Sequence, residues 1–402
     1  MAAGSLEVSR FVTNKIEKFL KTDIYGEEKY FFKLQRFGFG FIGFWFLNFT
    51  NWQIGFTMFN SLEILFYAIF QINFCVKNFN NLVEFLSGIT PLVTQVITAF
   101  KILIVLSRRE AFKSILTSLH ESFVNDVDEK SRAINARASK ISYLISLVSI
   151  ASAYLTGLFF VLLPIMIDIY RYSQGLVRLF GLPFKSVFPF DITYSPVYEI
   201  IFALAGWSSW ITSVGVSGIS ALFIGICLHI SGQFDIVGLR LAALMMDQND
   251  AEKSFSHEQN DELNRKLNAI VKLHNDKIDL CKLTSRTFVP IAILHFISSS
   301  IVICVCCLML FLFYLMVGLS DAFIYTFGGT LLMEASTAIK HAAYDFQWYK
   351  CDMRNQKIIL MIMMRAHKRT AIDIPFFDAS LETFVRIIQT AGSYATLLNT
   401  FL

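Results

Sequence analysis

Positive charge alternates along this chain, and that alternation constrains the fold more than any other feature. Seven apolar segments are expected at 54–76, 82–106, 141–167, 198–228, 288–317, 322–345 and 380–402. Each is near or above the length of about 20 residues that a helix needs to cross hydrocarbon. Lys and Arg number 7 before the first segment, 7 in 107–140, 8 in 231–287 and 6 in 346–379. The other gaps hold Lys77, then Arg171, Arg178 and Lys185, then none. Basic loops stay cytoplasmic. The expectation is an all-α membrane protein of seven transmembrane helices, with the N-terminus cytoplasmic and the C-terminus extracellular. That orientation is inverted relative to a G-protein-coupled receptor.

Composition narrows the function classes. The chain is 402 residues, 55% hydrophobic and only 16% charged, with 41 Phe. A soluble protein of this length carries more charge. The net charge of +4 belongs to the basic loops, and no basic stripe coincides with stacking aromatics, so no nucleic-acid partner is expected. HExxH, GxSxG, a clustered acid pair and metal-ligand spacing are all absent, so neither an enzyme nor a cofactor or metal is expected. Cys304, Cys306 and Cys307 lie in the apolar run 301–313 and read as packing residues. Residues 1–36 alternate acid, base and apolar side chains. No secretory leader is expected there, and the first membrane helix would act as the targeting signal.

The segment 1–53 reads as a cytoplasmic N-terminus followed by a re-entrant or interfacial stretch at 37–50. A second crossing there would put the basic gap 107–140 outside. Gly38, Gly40 and Gly43 spell GxGxxG, but a dinucleotide site needs a preceding strand and a βαβ unit, and neither pattern is present. Asn48-Phe49-Thr50 is a glycosylation sequon that this topology puts on the wrong side or in the membrane. Gaps 107–140 and 231–287 are helix-prone and extend the membrane helices into the cytoplasm. Gap 168–197, with Pro183, Pro189 and Pro196, forms an irregular outer cap, and Gly318–Asp321 a tight outer hairpin. Ile358–Met364 is too short to span, so 346–379 reads as a cytoplasmic anchor helix packed among inner helix ends, or else lying on the membrane surface. Glu63, Lys101, Glu199, His229, His295, Glu334 and Lys340 are ionisable residues inside apolar segments and need partners. His295 and Glu334, both near mid-segment, are candidates to meet each other or line water. No repeat symmetry of a transporter appears.

The C-terminal third carries Ala342-Ala343-Tyr344, Trp348-Tyr349, Gln356–Leu360, Arg365-Ala366-His367-Lys368, Ser380-Leu381-x-x-Phe384 and a closing Ser393-Tyr394-Ala395-Thr396-Leu397-Leu398. These residues resemble the insect odorant receptor family, with weaker matches at Pro189-Phe190-Asp191, Pro196-Val197-Tyr198 and Phe288-x-Pro290. Thr370–Pro375 departs from the small Gly-containing turn of that family. The resemblance implies an odorant-gated, non-selective cation channel, a heterotetramer of tuning subunits with a shared co-receptor, in the plasma membrane of olfactory sensory neuron dendrites. This chain lacks the long insertion between helices 4 and 5 that marks the co-receptor, so it resembles a tuning subunit. A gustatory-type receptor channel is the near alternative, and a G-protein-coupled chemoreceptor a more distant one.

The same resemblance implies a pore lined by the seventh segment, 380–402, with Leu397 and Phe401 aligned with a hydrophobic gate that blocks cations by dewetting. Thr400 lies beside them. It also implies a pocket in the outer half of the membrane among the second, third, fourth and sixth segments. Helix direction and depth put Phe85, Ile89, Tyr154, Gly157, Leu158, Val161, Phe202, Ala205, Gly206, Ser209 and Tyr325 there. Such a pocket suits a small hydrophobic volatile. Ordinary helix packing is the competing reading of these residues, as it is for the polar residues of 380–402.

Overall fold

The computed structural model of the chain describes residues 31–43, 45–46, 50–125, 128–246, 257–309, 312–346, 348–374 and 377–399. Asn48 and Phe49 of the sequon, and Thr400 and Phe401 of the expected pore, lie outside the described residues.

The described residues are mostly helical: α1 Lys33–Ile42, α2 Asn51–Lys77, α3 Leu82–Ser107, α4 Arg109–Asn125, α5 Glu129–Ser173, α6 Val197–Met246, α7 His257–Met309, α8 Leu312–Asp345, α9 Met353–His367 and α10 Leu381–Asn399. A 3-10 turn, Trp348–Lys350, precedes α9. Two short strands, β1 Asp373–Ile374 and β2 Phe377–Asp378, pair antiparallel ahead of α10 where the sequence departs from the family turn. Among the described helices, α2, α3, α5, α6 and α7 are long and apolar enough to cross a membrane.

Side-chain oxygens set several helix starts. Thr50 accepts from the Gln53 backbone N–H while the Gln53 side chain takes the Thr50 N–H, a capping box that opens α2. Asn81, Asp128 and Asp352 cap α3, α5 and α9 by a single bond each, accepting from the backbone N–H of Glu84, Ser131 and Asn355. At about 1.5 Å per residue, α6 and α7 run about 75–80 Å, more than twice the roughly 30 Å hydrocarbon layer. The helix-prone gaps are thus absorbed into α4, the start of α5, the end of α6 and the start of α7.

α6 is the centre of the bundle. Its most apolar window is 89% buried, against 22% for the equivalent window of α5, so α6 is sheathed by protein and α5 lies on the perimeter. α1 packs on α6 and α5 and buries Phe32, Gln35, Phe39 and Ile42. The Gln35 amide donates to Ser142 Oγ (3.0 Å), Ser146 Oγ (2.8 Å) and the Ala221 carbonyl (3.3 Å). Gly38 faces the backbone of Gly218. The GxGxxG run is therefore a helix end packed close against α6.

The structure moves one expected boundary. α7 stops at Met309 and α8 opens at Leu312, so Gly318–Asp321 lies inside α8 and is not the hairpin. Gly318 packs over Val302 and Ile303. An apolar stretch without Gly or Pro carries no turn signal at 310–311, and Gly318 supplied a false one.

α9 packs on α8 and α7, burying Asn355, Ile359, Ile362 and Ala366. An amide network fixes it. Asn355 Nδ2 donates to the Asn260 carbonyl (3.0 Å), Asn264 Nδ2 to Asn355 Oδ1 (2.9 Å) and Asn268 Nδ2 to Asn264 Oδ1 (2.9 Å). The opposite face, with Met353, Leu360, Met361 and Met364, is exposed. The seven-residue apolar run is buried on one side only.

α10 lies against α7 and α8. Its start is fixed by the Leu381 N–H donating to Thr330 Oγ1 (2.9 Å) and by Gly329, where a Cβ would fall 1.8 Å from the Ala379 carbonyl oxygen. Only glycine fits that approach. Gly329→Ala is expected to lower stability by about 1–3 kcal/mol through overpacking. Gly55→Ala, where a Cβ meets nothing within 4 Å, is expected to be neutral or to stabilise by up to about 1 kcal/mol. Thermal unfolding of the detergent-purified chain compares the two.

Candidate ligand-binding site

A cavity opens between α3, α5, α6, α7 and α8 beneath the 174–196 loop. It holds about 780 Å³ of atom-free space, its open mouth included. Near the loop its walls include Pro91, Phe160 and Phe184, the two rings 5.3 Å apart. α3, α6 and α8 descend from the loop end and α5 and α7 rise towards it. The deep end is therefore formed by Lys101, Ala153, Ser217, His295 and Asp321.

That floor is polar. Lys101 Nζ lies 2.9 Å from His295 Nδ1, and Asp321 Oδ2 lies 3.5 Å from the same ring nitrogen. An ammonium only donates, so Nδ1 is the acceptor and the neutral ring carries its proton on Nε2, 3.4 Å from Ser299 Oγ. At 3.5 Å the Asp321 contact is electrostatic rather than a hydrogen bond. Tyr325 stacks on the imidazole at 4.2 Å and on Phe223 at 4.5 Å, so the ring is clamped. Hydroxyls continue up the walls at Thr94, Thr98, Thr156, Thr212, Ser213 and Ser298. The Thr212 hydroxyl is buried without a hydrogen-bond partner.

The loop is pinned over the mouth. Tyr67 OH lies 2.7 Å from Ser186 Oγ, and Asn73 Nδ2 donates to the Val187 carbonyl at 2.9 Å. Asp168 accepts from Arg178 Nε and the Leu179 N–H, both at 3.0 Å. The hydrogen bond to Asp168 raises the Arg178 pKa above its ordinary value. The guanidinium also sits 5.0 Å from the rings of Phe180 and Tyr198.

The expected ligand residues surround this cavity without forming its walls. Tyr154 meets Trp210 edge-on at 4.5 Å, and Gly157 packs against Ser213 and Trp210. Leu158 is exposed and Ser209 buried. Val161 faces Gly206, Phe202 packs on Tyr198 and Ala205 lies beside Tyr67 and Phe184. Phe85 contacts Phe79, and Ile89 is half-buried on α3. Tyr325 stands behind His295. The segments named at 82–106, 141–167 and 198–228 do converge on the cavity, but through neighbouring residues such as Thr156 and Phe160. α7 was not anticipated as a wall. His295 meets Lys101 and Asp321, and Glu334 is exposed. The overlooked signal is the Ser/Thr spacing 208/209, 212/213, 217 along α6, one helical face, together with an acid at 321 in an apolar helix. Among the described residues no cluster of His, Cys, Asp and Glu could hold a metal ion.

A sequence model described as 7tm Odorant receptor matches residues 81–392. This chain belongs to the odorant receptor family. Odorant receptor 22c of Drosophila melanogaster is 29% identical over 347 residues, 83% of this chain and 86% of that protein. Odorant receptor 24a of the same fly is 24% identical, covering 95% and 98%. The solved structure of the insect olfactory receptor OR5 from Machilis hrabei in complex with eugenol superposes with a TM-score of 0.78, covering 94% of this chain and all of that one at 13% identity. The fold is therefore that of an insect olfactory receptor. Membership places the chain among odorant receptors rather than enzymes.

Asp168→Ala removes the acceptor that holds Arg178 and Leu179 and loosens the loop carrying Phe184. The half-activating ligand concentration is expected to rise about 3- to 10-fold, or about 0.7–1.4 kcal/mol, with surface expression retained. Dose-response currents measure it.

Proposed function

We propose that this odorant receptor is the tuning subunit of a ligand-gated, non-selective cation channel, with the α3–α8 cavity as the volatile's binding site. The carrying observation is the cavity itself, a chamber of apolar side chains and scattered hydroxyls over a charged floor, inside a bundle of membrane-length helices. The chain would cross the plasma membrane seven times, with the basic ends of the helices cytoplasmic. The charge asymmetry supports that orientation, and the 174–196 loop is then extracellular.

Packing supplies a route from ligand to pore. His295 and Asp321 stand one and two residues from Phe296 and Phe323. Phe296 meets Phe377 of β2 at 5.2 Å, and Phe323 meets Phe384 of α10 at 5.7 Å. A ligand that binds more tightly to one arrangement of α7 and α8 shifts the population of that arrangement, and α10 moves with it. α10 buries Thr383, Ile387 and Ala391, while Ser393, Tyr394, Thr396 and Leu397 are exposed. That mixed outward face suits a pore wall. Leu397, with Thr400 and Phe401 beyond the described residues, would form the gate. The bare Met353, Leu360, Met361 and Met364 face of α9 supports contact with a second subunit in a heterotetramer with the co-receptor.

Recording from cells expressing the chain with and without the insect co-receptor tests this reading. A volatile-evoked cation current that needs both chains is expected, without second-messenger signalling. Leu397→Ala is expected to raise the ligand-free current several-fold by wetting the gate. Silence of surface-expressed receptor to every volatile, or an unchanged resting current in Leu397→Ala combined with Phe401→Ala, would count against the channel and the gate respectively.

A further inference from the structure

We infer that the cavity takes an uncharged volatile bearing a hydroxyl group, an alcohol or a phenol, seated with that hydroxyl between Lys101 Nζ and the Asp321 carboxylate. The inference rests on the receptor reading above and names its ligand class.

Charge and hydrogen-bond inventory decide the class. Lys101 and Asp321 contribute one positive and one negative charge to a floor that is buried on all but its cavity side, so the floor is neutral as a unit. A carboxylate ligand would add an uncompensated negative charge there and an ammonium ligand a positive one, each costly away from water. A hydrocarbon would displace water from two charged groups and give nothing back. An ether, ester or ketone accepts from Lys101 Nζ but leaves the carboxylate without a donor. A hydroxyl does both: its proton goes to an Asp321 oxygen and its lone pairs accept from Nζ.

The cluster's own bonding leaves room for this. One Nζ proton goes to His295 Nδ1, and two remain. His295 offers Asp321 no proton from Nδ1, because that atom is the acceptor. The stacked Tyr325 and the Ser299 contact hold the ring in that role. The unpartnered Thr212 hydroxyl, two helical turns nearer the loop end than Ser220, offers a second polar contact for a ligand with another oxygen. Pro91, Ile97, Phe160, Phe184 and Val302 leave an apolar chamber for the remaining carbon skeleton.

The test uses the full chain with the co-receptor and matched triplets of hydroxyl compound, methyl ether and hydrocarbon on benzenoid, terpenoid and linear six-carbon skeletons. Whichever skeleton is active, the hydroxyl member is expected to activate at about 10- to 100-fold lower concentration than its ether, the range of a hydrogen bond to a charged group. Asp321→Asn keeps the shape and removes the charge. It is expected to bring alcohol and ether within about 3-fold of each other, with surface labelling confirming delivery. Ethers or hydrocarbons that match their hydroxyl partners in the wild-type receptor overturn the inference even if the variant never reaches the surface. So does Asp321→Asn with the preference intact, and so do currents evoked by acids or esters but by no hydroxyl compound. These last three results leave the receptor reading standing. Silence to every volatile overturns that reading and this inference with it.

Discussion

The rest of the structure depends on one helix wrapped by the others. The most apolar window of α6 is 89% buried, its exposed large apolar residues Ile200, Leu204 and Trp207 lie near its start, and its neighbours include α1, α3, α5, α7 and α8. In hydrocarbon every polar group must find its partner within the protein. A helix on the perimeter can carry few of them. A central one can carry many, and α6 does: Ser208, Ser209, Thr212, Ser217, Ser220 and His229 are all buried. The cavity gives part of this polar face, Thr212, Ser213 and Ser217, somewhere to point other than lipid. Where the neighbouring helices leave a gap, the face lines a chamber.

The floor of that chamber is a consequence of the same rule. Lys101 on α3 and Asp321 on α8 are single charges in apolar helices, and each needs the other. His295 on α7 completes the contact between them. Three helices separated by long stretches of sequence are thereby tied at one depth. The tie sits beside an aromatic column, Tyr325, Phe223, Phe288, Phe112 and Phe46, whose successive rings lie 4.5–5.1 Å apart. A change at the floor is felt by packed rings rather than by flexible side chains. On the proposed reading a separate pair of ring contacts, Phe296 with Phe377 and Phe323 with Phe384, carries a small ligand's binding energy to α10.

Much of the architecture was legible because it follows from simple periodicities. The apolar segments 54–76, 82–106, 141–167, 198–228 and 322–345 fall inside helices of the fold, whereas 288–317 straddles the end of α7 and the start of α8, and the basic, helix-prone gaps are largely helical where they are described. α9 was expected as a packed helix from seven apolar residues between clustered basic residues, and its inward face is indeed buried. What hydropathy could not show was that α7 stops at Met309 and α8 opens at Leu312, because a boundary without Gly, Pro or charge is invisible against an apolar background. The site was legible at the level of helices, not residues. Depth and direction put Tyr154, Gly157 and Val161 near the right height, but a rotation of α5 of one residue separates Gly157 from Thr156, and only the latter faces the cavity. Lys101 and His295 stood out as charges needing a reason. Their partner Asp321 did not, because it was read as part of a hairpin.

The buried and exposed faces of α9 and α10 bear on how many chains complete the structure. A monomer in water would not leave Met353, Leu360, Met361 and Met364 together on one exposed helical face. α9 carries Arg354, Lys357, Arg365 and Lys368 on the same short segment, so it is not built to enter hydrocarbon. An apolar face that belongs to neither water nor lipid is best satisfied by protein. α10 poses the same problem in another form: Ser393 and Thr396 lie on the face turned away from the bundle, where lipid would leave their hydroxyls only their own backbone carbonyls, Gln389 O and Ser393 O, as partners. On the proposed reading, a second chain at α9 would cover the exposed Met353, Leu360, Met361 and Met364, and an aqueous path along α10 would wet the exposed Ser393 and Thr396.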